Sequence, residues 1–263
     1  MNIENDQDQS NRIQESMNQG VKNQEETNQE DFAQSREPRR KLSWVDLVFA
    51  LLGIAILYVS LGFATAWVAG WWPYERVLLY VNGFMTQGLF LLLIWSLTRI
   101  RGWKWTDFGW SSLEGRKYLG SVVTFYLLTW IINILYGAYL LQKGFTPPET
   151  DVYTQLLGNV TLFTFILNLL LAGIIAPIME ETLFRGIIFG SLQTYLGKWT
   201  AAVVSAAIFS GLHFQAYGFL PRFVLGMVLA YLYMKHKSIY PSMAMHALNN
   251  IVALCLVAFV RGL

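Results

Sequence analysis

Charge and cysteine are the two things this 263-residue sequence has little of. Only 14% of its residues are Asp, Glu, Lys or Arg, and its single cysteine is Cys255. A lone thiol excludes an internal disulfide framework and any cysteine-rich metal site. The three histidines do not fall in an HExxH pattern, so the usual helical zinc signature is missing as well. No apolar run follows a short basic start, so a signal peptide is not expected. No nucleic-acid partner is expected either. The formal net charge of +2 says little, because the charges are segregated along the chain.

Apolar residues are abundant. They make up 54% of the chain, aromatics 15%, and the mean hydropathy is +0.39. These values predict an all-α, polytopic membrane bundle. The first 43 residues differ: they are rich in Gln, Asn and Glu, and too polar to offset the entropy of ordering, so a disordered tail is expected. That tail ends in Arg36, Arg39, Arg40 and Lys41, which should hold it in the cytoplasm under the positive-inside rule. Residues 44–263 then form the transmembrane domain.

A span needs about 20 mostly apolar residues. Trp44 to Trp72, Val77 to Leu97 and Tyr118 to Leu141 qualify. Arg99, Arg101, Lys104, Arg116 and Lys117 after the second span mark a cytoplasmic loop. Its Trp-rich piece, RIRGWKWTDFGW, reads as amphipathic and suited to lie on the cytoplasmic leaflet. Pro147 and Pro148 argue against a helix in the next, outer loop. Asn159 to Leu196 is apolar nearly throughout; as one helix it would run roughly 55–60 Å, so a kink or break is expected near Pro177. Thr200 to Phe214, Gly218 to Met234 and Met243 to Val260 complete the set. About seven spans, six to eight, are expected in a multi-pass cell-membrane protein with its N-terminus inside.

An ionisable residue inside a span is expensive and calls for a named partner. In the C-terminal half these are Glu180, Glu181, Arg185, His213, Arg222 and His246, with Asn249 and Asn250 beside them. Glu181 and Arg185 are four apart, so they share a helix face and can pair. Glu180 is turned about 100° away; it is either a second carboxyl at an interface or a group left free for chemistry. Glu180 lies 17 residues before Gly197, the expected turn, and His213 lies 16 after it. In an antiparallel hairpin the two therefore reach the same depth. Phe209 sits one turn before His213 and should pack beside it. His246 and Asn250 share a face of the last helix; they can tie the bundle together or serve a site. Asn249 points elsewhere, Arg222 reads as an interfacial anchor, and His236 as a surface residue. Asn82, Gln87, Asn133 and Asn168 read as interhelical hydrogen bonders, and the Gly186–Gly190 pair in GIIFG would permit close helix packing.

Three pieces stand in order: Glu180-Glu181-x-x-x-Arg185, Phe209-x-x-x-His213 and His246-x-x-x-Asn250. Together with the preceding API and with Phe184-Arg185-Gly186, they resemble the CPBP intramembrane proteases. That family includes the type II CAAX prenyl endopeptidases and bacteriocin-processing or self-immunity proteins. The resemblance runs from about Leu156 to the C-terminus, with a catalytic core near 155–255. It implies that Glu180 and His213 activate a water, that His246 and Asn250 stabilise the oxyanion, and that Glu181, Arg185 and Phe209 support them. The chemistry fits. Amide hydrolysis needs a base, and a carboxyl in low dielectric holds a proton more tightly than in water. It also needs donors aimed at the oxyanion.

The family was first described as metalloproteases, whereas its later mechanistic picture is metal-free. A zinc alternative would use Glu180, His213 and His246 with an open fourth position; the metal-free route, with no cofactor, is the expectation here. The expected partners are the bilayer and a peptide or membrane-protein substrate. A signal peptide, peptide pheromone or bacteriocin leader suits that role better than a prenylated tail. Two non-catalytic alternatives use the same polar groups: a binding or immunity protein, and a proton-coupled carrier. No inverted repeat favours the carrier.

Overall fold

Each apolar run of the sequence becomes one helical rod, and the loops between rods are short where rods are neighbours. The computed structural model describes residues 41–72, 75–111, 113, 118–145 and 161–260, and of the tail only 14, 15, 17–19 and 22. The basic cluster at 36–40, Arg116, Lys117 and the prolines at 147 and 148 lie outside the described residues. So does most of the tail expected to be disordered; its described residues are helical. The rods are α1 Trp44–Ala69, α2 Glu75–Arg101, α3 Tyr118–Gln142, α4 Leu162–Leu196, α5 Lys198–Gly211, α6 Phe219–His236 and α7 Tyr240–Val260. No strand occurs among the described residues. Five rods (α1, α2 from Val77, α3, α4 and α7) are long and apolar enough to cross a membrane. The two that fall outside those criteria, α5 and α6, are the fifth and sixth, where the apolar runs were shortest.

The outer faces carry exposed apolar side chains, such as Leu52, Ile56, Val59, Phe63 and Trp67 on α1, as suits a surface solvated by lipid. The core is centred on α4, where Leu183, Ile187, Ile188 and Phe189 pack against Ile94, Leu97 and Phe209.

The packed unit begins at Lys41, a little before the polar tail was expected to end. Leu42 is buried against the bare backbone of Gly190, where a Cβ would come within 2.7 Å of Leu42 Cδ1. Ser43 then caps α1: its N–H donates to Asp46 Oδ2 at 2.8 Å. Asp46 is fully buried and its Oδ1 accepts from Arg101 Nε at 2.9 Å and Trp103 Nε1 at 2.8 Å. One carboxylate thus joins the start of α1 to the end of α2.

The Trp-rich loop packs one side into the bundle, while Ile100 and Trp105 stay exposed. Trp103 and Phe108 are buried, and Trp110 Nε1 donates to Thr182 Oγ1 at 3.2 Å. Buried acceptors for the indole N–H groups, together with the space left by Gly186, make the interior the better solvent for these rings. The GIIFG pair is therefore used within the chain: Gly186 meets Phe108, and Gly190 meets Leu42.

The interruption expected near Pro177 is not a break. α4 runs through it with two π-helical stretches, Leu169–Ile175 and Thr182–Phe189, on either side of the α-helical turn Ala176–Glu181. Pro177 sits in the first turn of that α stretch, where its missing N–H is best tolerated. The α4–α5 hairpin turns at Gly197, whose φ of 75° is a conformation that L side chains take poorly.

The contact at Gly186 gives a stability test. A Cβ there would lie 2.8 Å from the Phe108 carbonyl oxygen, whereas at Gly120 it would meet open space. Gly186→Ala should destabilise by about 1–3 kcal/mol through overpacking. Gly120→Ala should leave the thermal midpoint in detergent unchanged or slightly raised. Equal midpoints for the two variants would contradict the packing described.

Candidate active site

The polar groups of the C-terminal half converge because three helices offer them at one depth. α4 supplies the pair Glu180 and Glu181. α5 ends at Gly211, so His213 lies just beyond it, at the mouth of the loop to α6. α7 supplies His246 and, one turn on, Asn250. Gly226 lets α6 close on α5: a Cβ there would come 2.9 Å from Ala206 Cβ.

Glu181 is fully buried and bonds twice through one oxygen. Oε1 accepts from Arg185 Nη1 at 2.9 Å and from His246 Nδ1 at 2.8 Å. Arg185, 1% exposed, sends Nη2 to the Gly226 carbonyl at 3.2 Å and stacks its guanidinium on Phe209, 4.7 Å from the ring centroid. Phe209 packs edge-on against both imidazoles, at 5.1 Å from His213 and 5.7 Å from His246.

The partners decide the tautomers. A carboxylate held by a guanidinium accepts, so His246 Nδ1 donates to it; His213 Nδ1 likewise donates to the Phe209 carbonyl at 2.8 Å. Each ring is left with Nε2 as its second polar atom. His246 Nε2 stands 3.9 Å from Glu180 Oε2.

Glu180 is only partly exposed, at 15% of its side-chain surface. Together with His213, His246 and Asn250 it lines one cavity of about 610 Å³. Asn250 Nδ2 gives one hydrogen to the Ala172 carbonyl at 2.8 Å; its carboxamide carries a second.

Several readings need correction. Asn249 does not point elsewhere: it lines the same cavity and donates to Asn250 Oδ1 at 3.3 Å. Arg222 is more than an interfacial anchor, because it lines the cavity and donates to the Gln215 side chain and carbonyl at 2.9 Å each. Asn133 of α3 also reaches the cavity wall. Gln87 of α2 points its Nε2 at Glu180 Oε1, 3.4 Å away. No periodicity marked these residues, since α2 and α3 are not hairpin partners of α4 and no turn fixes their register against it.

Among the described residues no group of three or more His, Cys, Asp or Glu side chains is placed to hold a metal ion. Glu180, His213 and His246 share one cavity without forming such a cluster.

Residues 162–252 match the family model described as Type II CAAX prenyl endopeptidase Rce1-like. The chain is thus similar to that family over this segment, about a third of its length. The Rce1-like segment contains Glu180, His213, His246 and Asn250. Three bacterial relatives resemble the chain. "UPF0177 protein YxdF" of Lactococcus lactis subsp. lactis (strain IL1403) is 28% identical over 134 residues, 46% of this chain and 72% of the relative. "Uncharacterized 24.3 kDa protein" of Escherichia coli is 27% identical over 169 residues, 61% and 74% of the two chains. "Putative membrane peptidase YdiL" of Bacillus subtilis (strain 168) is 32% identical over 84 residues, 32% and 34% of the two chains. No solved structure matches the chain.

The two glutamates should behave differently. Glu181→Gln strands a buried guanidinium and should cost about 3–5 kcal/mol. Glu180→Gln, facing a cavity, should lie within about 1 kcal/mol of the parent. Unfolding titrations in mixed micelles measure both; equal losses would contradict the division of labour seen here.

Proposed function

We propose that the protein is an intramembrane endopeptidase that hydrolyses a peptide bond of a membrane-associated peptide, with Glu180 as base and no metal. The observation that carries this reading is the convergence of Glu180, His213, His246 and Asn250, from α4, the end of α5 and α7, on one cavity. The Rce1-like match and the similarity to a protein named as a membrane peptidase support it at family level.

In this reading a water enters between Glu180 and His213. Glu180 takes its proton while the oxygen attacks the scissile carbonyl, forming the new C–O bond and placing the pair from the C=O π bond on the oxyanion. Asn250 Nδ2 donates to that oxyanion. His246 Nε2 becomes a second donor once it carries a proton, and Glu180 Oε2 is the nearby acid that can deliver it. Glu181 on Nδ1 stabilises the resulting imidazolium, as an orienting carboxylate does in a hydrolase triad. Collapse of the tetrahedral intermediate breaks the C–N bond, and the proton goes to the leaving amine.

Leu-rich signal peptides, peptide pheromones and bacteriocin leaders are the substrate classes that suit a bilayer-embedded cavity of this size. In this reading the chain sits in the cell membrane with its N-terminus in the cytoplasm, an orientation supported by the basic residues before α1 and after α2.

Full-length protein in detergent, given a library of quenched fluorescent peptides, tests the proposal. Glu180→Gln should stay folded and lose about 10²–10⁴-fold of the cleavage rate, and a chelator should leave the parent rate unchanged. Retained cleavage in Glu180→Gln would sink the assignment. Chelator-sensitive cleavage would replace the metal-free route. Binding of peptides without cleavage would favour a non-catalytic pocket.

A further inference from the structure

We propose that Gln87 of α2, outside the Rce1-like segment, is a positioning residue that holds Glu180; this rests on the reading of Glu180 as the base. Gln87 is 8% exposed, and its Nε2 faces Glu180 Oε1 at 3.4 Å. A second observation shows why α2 comes close enough. Gly83, one turn before Gln87 on the same face, lies against α4, where a Cβ would come 2.7 Å from Leu171 Cδ2. Gly83 thus sets the α2–α4 approach, and Gln87 uses it to reach the carboxyl nine residues along α4 from Leu171. With Oε1 tied to α2, Oε2 is the oxygen that faces His246.

The other end of the amide gives the contact a second use. Gln87 Oε1 is buried and has no hydrogen-bond partner among the described residues. A carboxamide carries a donor and an acceptor in one plane. Nε2–H suits the carboxylate of Glu180, and after a half-turn of the amide Oε1 suits the O–H of its protonated form. A base that takes up and releases a proton in each cycle needs a neighbour that serves both forms. The donor contact to a charged group is the stronger of the two. The other titratable and charged groups on the cavity wall are Tyr126 of α3, His213, Arg222 of α6 and His246 of α7; Tyr58 of α1 and the buried Arg185 of α4 lie close enough to act on Glu180 by charge, and the buried Glu181 is its chain neighbour.

Gln87→Met keeps the length and removes both polar ends; Gln87→Glu puts a second carboxyl beside Glu180. With the quenched peptide library and full-length protein, Gln87→Met should lower kcat about tenfold with KM unchanged. The acid limb of its kcat–pH profile should move to higher pH, and further in Gln87→Glu. A second readout needs no substrate: infrared titration of the Glu180 carboxyl, isolated by subtracting the Glu180→Gln spectrum, should show a raised midpoint in Gln87→Met. An unchanged midpoint, or a parent-like kcat and acid limb in folded Gln87→Met, overturns the proposal. A shifted midpoint in a protein that cleaves nothing supports the contact and counts instead against the protease reading.

Discussion

One buried oxygen organises this molecule. Glu181 Oε1 receives Arg185 from its own helix and His246 from α7, and Arg185 in turn reaches the backbone of α6 at Gly226. Three helices are thereby cross-linked through a single, fully buried carboxylate. An ionised group there must find such partners or leave the membrane's interior. The imidazole of His246 has its tautomer and its plane fixed as a consequence, with Phe209 packed edge-on against it. The site's geometry thus descends from a contact made by a residue that does not itself face the cavity.

The sequence made some of this legible and left the rest hidden, for physical reasons. The Glu181–Arg185 pair could be read from four-residue spacing, because a helix brings such residues together wherever it lies. The common depth of Glu180 and His213 could be read because a tight hairpin at Gly197 carries register from one arm to the other. His246 bonding to Glu181 could not, since α7 is separated from α4 by two other rods and no turn transmits a register that far. Gln87, Asn133 and Arg222 were hidden for the same reason: an amide in an apolar run announces that it needs a partner, but not which one. For the Trp-rich loop the buried partners were hidden, because amphipathic composition is the same for a surface lying on lipid and for one packed on protein. Buried acceptors such as Asp46 decide between them, and they lie far away in sequence.

The π-helical stretches of α4 bear on the same question. In a regular α-helix Glu180 and Glu181 differ by about 100°, and a residue's face repeats strictly. A π turn adds a residue to the loop closed by each backbone bond and rotates the residues beyond it. α4 has such turns on both sides of Ala176–Glu181, so this short α segment is decoupled in phase from the rod above and below it. It can present one glutamate to Arg185 and His246 and the other to the cavity without forcing the flanking apolar residues off their own contacts.

Stability alone does not explain why the chain keeps a buried ion pair. Replacing such a pair by apolar residues of similar volume is often neutral or favourable, because desolvation consumes the Coulombic gain. What apolar residues could not do is hold an imidazole by Nδ1 with its Nε2 facing a second carboxylate. Adjacent carboxylates in a greasy helix then have distinct reasons to exist. One is spent on orientation and needs full burial; its neighbour is kept at the edge of a polar hollow and needs partial access. Swapping their environments would strand a charge in one place and leave the ring undirected in the other. The order Glu180-Glu181, with Arg185 four residues after the second, is the arrangement in which neither happens.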